Sequence, residues 1–303
     1  MKKIVIAAGT GFLGKILINH FKSKTEKIIV LTRGKTRTEN HIHFVHWNAK
    51  TLGGWKNELN NADALINLTG KSVDCRYNQR NKDLILNSRI ESTLILGKAI
   101  EQCIHPPKVW INSSTATIYR HSLDKEMTET TGEIGSGFSV NVATSWEKTF
   151  FTQSTPHTRK VAIRTSIVLG TQGGALPPII KLVKIGLGGS QGQGNQKFSW
   201  IHETDFARSI AFIINNQDIK GVINIVSPKP TTNTVLMKTL RSALNVSIGI
   251  TLSKPILELG AYIIKTETEL ILKSRNVIPE KLIHHGFNFL YPHLDQTLND
   301  LTR

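Results

Sequence analysis

Three glycines near the start of the chain have a spacing that suits phosphate chemistry. The turn that holds Gly9 and Gly11 follows a β-forming apolar run, Lys3–Ala8, and leads into Phe12–Phe21, which contains Gly14 and whose apolar residues recur at helical spacing. Glycine lets a backbone turn sharply beneath a ligand, and the N–H groups that begin the next helix favour an anion. The G-x-G-x-x-G pattern therefore predicts a dinucleotide site, although ordinary strand-to-helix turns also show this spacing. The residues expected to bind the dinucleotide here are Gly9, Thr10, Gly11, Phe12, Leu13 and Gly14.

The end of the second predicted strand indicates which dinucleotide this is. A carboxylate there would bond the ribose 2′-hydroxyl and repel a 2′-phosphate, whereas an arginine would pair with that phosphate. The strand Lys27–Thr32 is followed by Arg33 and ends without Asp or Glu. We therefore expect NADP as the cofactor, with Thr32 and Arg33 beside the phosphate. The alternative is that Arg33 is an ordinary solvated residue in a basic protein.

Small residues also follow the fourth predicted strand. The strand ends in Asn67-Leu-Thr-Gly70, and this exit either forms a plain turn or lets the ribose and phosphates of the cofactor lie across the sheet edge. The residues expected to contact the cofactor there are Leu68, Thr69 and Gly70.

Apolar runs with β character alternate with helical patterns over the first three quarters of the chain. Strands are predicted at Lys3–Ala8, Lys27–Thr32, His43–Trp47, Ala64–Thr69, Lys108–Ser113, Lys160–Ser166 and Val222–Val226. Helices are predicted at Gly14–Lys24, Gln79–Gln102, Ser139–Gln153 and Thr204–Asn215. This alternation predicts an α/β fold, a Rossmann-type doubly wound parallel sheet that binds its ligand at the carboxyl ends of the strands.

The pattern changes after Val226. The segment Ser227–Pro230 interrupts it, and helical patterns follow at Thr234–Leu244, Lys254–Lys265 and Thr268–Ser274. We therefore expect two domains, residues 1–230 and a smaller, mostly helical unit at 231–303. The glycine-rich segment Lys184–Gly194 is expected to form a loop near a ligand or a tight turn.

Composition excludes several other classes of protein. The 303 residues contain no uninterrupted apolar run near the roughly 20 residues of a membrane span, and the amino terminus has no signal-peptide pattern, which indicates a cytoplasmic protein. Cys75 and Cys103 lie far apart without a C-x-x-C motif, so neither a disulfide framework nor a metal site is expected.

The net charge of +16 raises the possibility of nucleic-acid binding. Lysine and arginine are, however, spread along the chain without a long basic block, and no nucleic-acid recognition motif accompanies them. We expect no specific nucleic-acid partner. A basic surface also suits a small-molecule substrate that carries phosphate.

Several ordered motifs together resemble the extended short-chain dehydrogenase/reductases, and more narrowly their atypical epimerase-family branch. The resemblance runs almost end to end, and it implies a Rossmann core, a smaller C-terminal domain on the substrate side, and an NAD(P) cofactor. It places Thr115, Tyr119, Arg164 and His202 near the nicotinamide, with Arg164 as a cofactor contact. The motifs that carry it are the glycine turn, Asn67–Gly70, Leu84–Arg89, Ser113–Tyr119, Arg164–Gly170, Gly173–Pro177, Phe198–Asp205, Val277–Leu282 and Gly286–Pro292.

The chain departs from the family pattern at the glycine turn. Extended members usually have Thr-Gly before Gly9, whereas this chain has Ala7 and Ala8. Because alanine is the smallest replacement for glycine, we expect a slightly displaced turn that still binds the cofactor.

A second departure concerns catalysis. The family commonly uses a tyrosine and a lysine four residues later, with a Ser or Thr that orients the substrate oxygen; a nearby cation lowers the pKa of the phenol. Thr115 matches the Ser/Thr position, but the pair should lie near Phe138–Val142, where neither residue type occurs. If the match to the family is shifted by one residue, the two positions hold Ser139 and Ala143, so the tyrosine–lysine pair is again absent. An asparagine expected on the long helix is replaced by Arg89.

The remaining residues leave two hypotheses open. Tyr119 is either a replacement acid or a packing residue beside the cofactor, and His202 is expected to be a structural histidine ahead of Asp205, the predicted N-cap of Phe206–Asn215. The protein is thus either an NADP-dependent oxidoreductase or epimerase-like enzyme with an unknown small-molecule substrate, or a dinucleotide-binding sensor or interaction protein without catalysis.

Overall fold

A central sheet with helices on both faces dominates the molecule. The structure is a computed structural model that describes residues 1–263, 267 and 269–303. Its strands are β1 (Lys3–Ala7), β2 (Lys27–Thr32), β3 (Arg37–Glu39), β4 (Ile42–His46), β5 (Ala64–Asn67), β6 (Val109–Thr115), β7 (Arg159–Thr165), β8 (Ile167–Leu169), β9 (Lys197–Phe198), β10 (Trp200–His202), β11 (Gly221–Ile225) and β12 (Thr231–Thr232). Its helices are α1 (Phe12–Phe21), α2 (Gln79–Glu101), α3 (Phe138–Phe151), α4 (Leu176–Lys184), α5 (Glu203–Asn215), α6 (Asn233–Ala243), α7 (Lys254–Ile263), α8 (Glu269–Leu272), α9 (Glu280–His284) and α10 (Leu294–Leu301).

The order of strands in the main sheet is β11-β7-β6-β5-β1-β2-β4-β3. Neighbouring strands are parallel except at the edge, where the short β3 pairs with β4 in the antiparallel direction. From β1 the chain builds outward through β2 and β4, and it then returns to the other side of β1 to add β5, β6, β7 and β11. The strand order therefore reverses between β1 and β5, which is where an open α/β sheet binds its ligand. The predicted Rossmann-type sheet is confirmed.

The central strands read as continuous apolar runs because helices cover both faces of the sheet. Side chains alternate along β1, so that Ile4 and Ile6 pack on one face with α1 and α5, whereas Val5 and Ala7 pack on the other with α2 and α3. All four are fully buried. Burial on both faces fixes the register of β1, and with it the position of the glycine turn that follows.

The C-terminal part of the chain packs in two places. Helices α4, α6 and α10 enclose a separate apolar cluster around Trp200, whereas Leu282 and Phe287 join the main core cluster that contains Ile4 and Ile6. The predicted helices at Thr234–Leu244, Lys254–Lys265 and Thr268–Ser274 correspond to α6, α7 and α8, but residues 264–266 and 268 lie outside the described residues. Helices α4, α9 and α10 were not predicted.

Candidate cofactor and substrate cleft

A cavity of about 540 Å³ opens at the carboxyl ends of β1, β5, β6 and β7. This volume lies within the usual range for small-molecule sites, roughly 300–1,000 Å³. The residues predicted from the sequence that line it are Gly11, Phe12, Leu13, Gly14, Leu68, Thr69, Gly70 and Thr115. The predicted residues outside its lining are Gly9, Thr10, Thr32, Arg33, Tyr119 and Arg164. Lining residues that the sequence analysis did not assign to a site include Tyr77, Ser114, Trp146, Thr165 and Ser166.

The glycine turn closes one end of this cavity. A Cβ placed on Gly14 would lie 2.2 Å from the Gly9 carbonyl oxygen, so the helix and the turn approach as closely as glycine allows. The N-cap of α1 is Gly11, which borders the cavity, where the free N–H groups of the helix favour an anion. Ala8 has a φ of +59°, a left-handed conformation in which glycine would be unstrained.

The carboxyl end of β2 lies beside the glycine turn. The Thr32 hydroxyl accepts a hydrogen bond from the Gly34 N–H at 3.2 Å, and the side chain of Thr32 is buried. Arg33 is exposed immediately after the strand and forms no ion pair with any described residue. The two residues therefore lie at the end of the strand next to β1, with the Arg33 guanidinium open to a ligand.

Two hydroxyls in the cavity wall lack a partner among the residues that the structure describes. The Oγ1 atoms of Thr69 and Thr165 are buried, and neither makes a hydrogen bond to any described residue. The Thr69 backbone is held by Asn67, whose Oδ1 accepts from the Thr69 N–H at 3.0 Å. Because a buried hydroxyl without a partner costs stability, these atoms fit a polar ligand that extends from the glycine turn across β5 to β7. The residues present thus fit a bound dinucleotide.

The far end of the cavity holds the residues matched to the family's catalytic positions. Thr115 ends β6, and its hydroxyl accepts a hydrogen bond from the Thr117 N–H at 3.1 Å. Phe138 and Val142 both line the cavity from α3. The Phe138 ring packs edge-on against Tyr77, with ring centroids 4.9 Å apart. The tyrosine reaches this point from the loop before α2, and burial raises the pKa of its phenol.

Tyr119 and Arg164 belong to a buried polar network behind the cavity wall. The Tyr119 hydroxyl lies 2.9 Å from Asn224 Oδ1 and accepts a hydrogen bond from Arg164 at 3.0 Å. The Arg164 guanidinium also donates to both carboxylate oxygens of Glu147, at 2.8 and 2.7 Å, and Ser114 donates to the same carboxylate at 2.6 Å. The structure thus gives both residues other partners than the expected cofactor and substrate, and it favours the packing alternative for Tyr119.

Arg89 lines the cavity instead of the asparagine that the family pattern leads us to expect. One of its terminal nitrogens, Nη1, donates to the backbone carbonyls of Lys71 and Ile85, at 3.1 and 2.9 Å. Its guanidinium carbon lies 5.0 Å from the centre of the Trp146 ring. Burial lowers the pKa of Arg89 to about 10, so the side chain remains charged at neutral pH.

His202 and Asp205 hold the backbone rather than a ligand. His202 is the N-cap of α5, because its Nδ1 accepts from the Thr204 N–H at 2.9 Å, and its Nε2 lies 3.1 Å from Asp300. Asp205 is therefore in the first turn, and its prediction as the N-cap was wrong. The fully buried Asp205 carboxylate instead accepts from the backbone N–H groups of Leu290 and Tyr291, at 3.0 and 2.8 Å.

Within the described ranges, no helix is both long and apolar enough to cross a membrane. Across those same residues, no group of three or more His, Cys, Asp and Glu side chains is placed to hold a metal ion. Cys75 and Cys103 are both free thiols.

The sheet order, the glycine turn and the cavity define a protein with the NAD(P)-binding Rossmann fold of the extended short-chain dehydrogenase/reductases. The chain belongs to the NAD dependent epimerase/dehydratase family, whose model matches residues 4–226. A domain of unknown function matches residues 253–301. The resemblance found in the sequence motifs is thereby confirmed.

Relatives match the chain over its whole length. An epimerase family protein of Staphylococcus epidermidis is 31% identical over 305 residues, which cover 100% of this chain and 100% of that protein. An epimerase family protein of Staphylococcus aureus is 32% identical over 305 residues, which cover 99% of each. A crystal structure of a human epimerase family protein with NADPH has a TM-score of 0.87 at 28% identity, and the match covers 99% of each chain. A nucleoside-diphosphate sugar epimerase of Corynebacterium glutamicum has a TM-score of 0.79 at 25% identity, with 99% of this chain and 58% of that chain covered.

Proposed function

We propose that this protein is an NADP-dependent oxidoreductase that acts on a small molecule. The observation that carries the proposal is a single cavity that joins the glycine turn to Thr115, with the unpartnered hydroxyls of Thr69 and Thr165 in its wall. When bound, NADPH supplies a hydride. The protein's own residues then position the substrate next to the nicotinamide, and Thr115 orients the substrate oxygen.

NADP rather than NAD is supported by the residues at the end of β2. Arg33 offers an open guanidinium, no carboxylate follows the strand, and the human relative holds NADPH. The test is a fluorescence titration of the purified protein with NADPH and with NADH. We expect tighter binding of NADPH, and equal affinities would contradict the proposal.

Catalysis is proposed to be slow because the family's acid positions hold Phe138 and Val142. A positioned general acid contributes typically 100- to 10,000-fold, whereas hydride transfer itself needs only a well-placed substrate. We take the Tyr77 hydroxyl as the candidate replacement acid, because its ring touches Phe138 at the cavity wall. Burial raises the pKa of its phenol, which makes it a weaker acid than a tyrosine beside a lysine and agrees with slow proton transfer.

The alternative is a dinucleotide-binding sensor or interaction protein without turnover. The apolar side chains of Phe138 and Val142 at the acid positions favour it. Both functions require NADPH binding, so NADPH oxidation over a panel of activated carbonyl compounds separates them. Slow oxidation that depends on Thr115 supports the enzyme, and tight binding with no oxidation across the panel supports the sensor.

A further inference from the structure

Arg164, which is buried, and Arg89, which is partly buried, both lie at the cavity or behind its wall, and they differ in how their charge is compensated. Arg164 makes two hydrogen bonds to the Glu147 carboxylate and a third to Tyr119. Arg89 donates only to two backbone carbonyls, both through Nη1, and it forms no ion pair with any carboxylate among the described residues. The charge of Arg164 is thus neutralised inside the protein, whereas that of Arg89 is not.

Two carboxylates that contact residues of this part of the cavity, Glu267 and Glu269, already have other partners. Glu267 pairs with Arg76 at 3.6 Å and accepts from the Tyr77 N–H at 2.7 Å. Glu269 accepts from the Ser139 hydroxyl at 3.1 Å. The Glu269 carboxylate also lies 3.9 Å from the Lys273 ammonium nitrogen.

The guanidinium of Arg89 is held in place against the cavity wall. A Cβ on Gly70 would lie 2.9 Å from the guanidinium carbon, and the Trp146 ring supports the group from α3. Both neighbours line the cavity, as does Arg89 itself. The planar group is therefore fixed in orientation before any ligand arrives, with Nε and Nη2 free of described protein partners.

A partly buried cation without a counter-charge has lost part of its hydration, and the partial burial that lowers the pKa of Arg89 to about 10 does not discharge it at neutral pH. A guanidinium offers two parallel N–H groups that match a carboxylate or a phosphate. An anion in the cavity would supply the missing charge and accept these hydrogen bonds.

We propose that Arg89 binds a carboxylate or phosphate group of the substrate, so that the substrate of this protein is an organic anion. This inference rests on the proposed function. We expect the pyrophosphate of the cofactor at the N-terminus of α1 beside the glycine turn. Arg89 instead lies beyond β5, on the side of the cavity formed by Tyr77 and α3, where the substrate is expected.

The test uses inorganic phosphate as the probe with the full-length protein saturated with NADPH. The melting temperature is followed while sodium phosphate is titrated at constant ionic strength, with sodium chloride as the compensating salt. We expect saturable stabilisation in the unmodified protein. Arg89→Gln should raise the apparent Kd for phosphate about tenfold or more, and Arg89→Lys, which keeps the charge, should raise it less. Arg80→Gln, a change to an exposed arginine on the same helix, is the matched control and should leave the Kd unchanged.

Three results would overturn the inference. The first is the absence of saturable stabilisation by phosphate in the unmodified, NADPH-loaded protein, which needs no variant to fold. The second is equal phosphate affinity in Arg89→Gln. The third is competition between phosphate and NADPH together with weaker NADPH binding by Arg89→Gln, which would assign the guanidinium to the cofactor. Failure of NADPH itself to bind would instead contradict the proposed function, and phosphate titration of the unloaded protein would still test Arg89.

Discussion

At the scale of single residues, Arg33 is the side chain on which cofactor choice depends. It is exposed at the end of β2 and has no ion-pair partner among the described residues. Arg33→Asp places a carboxylate where the 2′-phosphate is expected. We expect the difference in binding free energy between NADPH and NADH to decrease by about 1.5–3 kcal/mol, the usual contribution of hydrogen bonds to charged groups. Fluorescence titrations with both cofactors measure this difference.

Lys220→Asp provides the control for this prediction. Lys220 is exposed and borders a different surface depression, but the substitution changes the net charge by the same amount. A similar loss of NADPH preference in both variants would mean that the overall basic charge, rather than Arg33, selects the cofactor.

We expect different effects on kcat when the two tyrosines near the cleft are changed to phenylalanine. Tyr77 lines the cavity, whereas the Tyr119 hydroxyl is held behind the wall by Arg164 and Asn224. For any carbonyl substrate that is reduced, Tyr77→Phe should lower kcat by roughly 100-fold or more if the phenol is the proton donor. Tyr119→Phe should leave kcat unchanged and lower the melting temperature, because Arg164 loses an acceptor. Unchanged kcat in Tyr77→Phe would exclude it as the acid.

At the scale of elements, the turn between β1 and α1 carries strain at one residue. Ala8 adopts a left-handed conformation, whereas its neighbour Ala7 is a buried strand residue. Ala8→Gly should raise the free energy of unfolding by about 0.5–1 kcal/mol, because glycine has no Cβ to strain there. Ala7→Gly is the matched control and should lower it by a similar amount. Urea unfolding measures both, and destabilisation by Ala8→Gly would show that the turn tolerates alanine without strain.

The last turn of α1 makes stability depend on pH. Burial, with the nearby charges of Lys24 and Arg208, lowers the pKa of His20 from 6.5 to about 4. Between these two values the unfolded chain binds a proton that the folded protein does not, so the free energy of unfolding should decrease as pH falls from about 6.5 to 4. His20→Gln should weaken this decrease in urea unfolding at several pH values. His157→Gln, at an exposed histidine, should leave it unchanged.

The sequence predicted the elements of the core better than it predicted the site. Strand β2 begins and ends where its apolar run does, because a strand buried on both faces needs an unbroken apolar sequence. The cofactor turn was visible because its glycines are close together in the chain. Tyr77 was not predicted, because it meets Phe138 only through the packing of a loop on α3. The N-cap of α5 was misplaced because a histidine, rather than the preferred Asp205, caps it.

At the scale of the whole molecule, the net charge of +16 predicts a weak and unspecific affinity for nucleic acid. Lysine and arginine side chains would contact phosphates without reading bases, so DNA retention should fall steeply as salt rises through the physiological range. Gel shifts with two unrelated duplexes of equal length, at several salt concentrations, test this. Sequence-selective binding that resists salt would show a recognition surface that the charge distribution does not predict.

The predicted division at residue 230 remains untested, but the end of the chain is part of the main core. Leu282 and Phe287 share an apolar cluster with Ile4 and Ile6 of the first strand. During synthesis the amino-terminal strands leave the ribosome long before these residues do. Part of the apolar face of the nascent sheet therefore stays uncovered until residues 282–287 have been made, and a chaperone that shields such a surface would have its longest opportunity to bind in that interval.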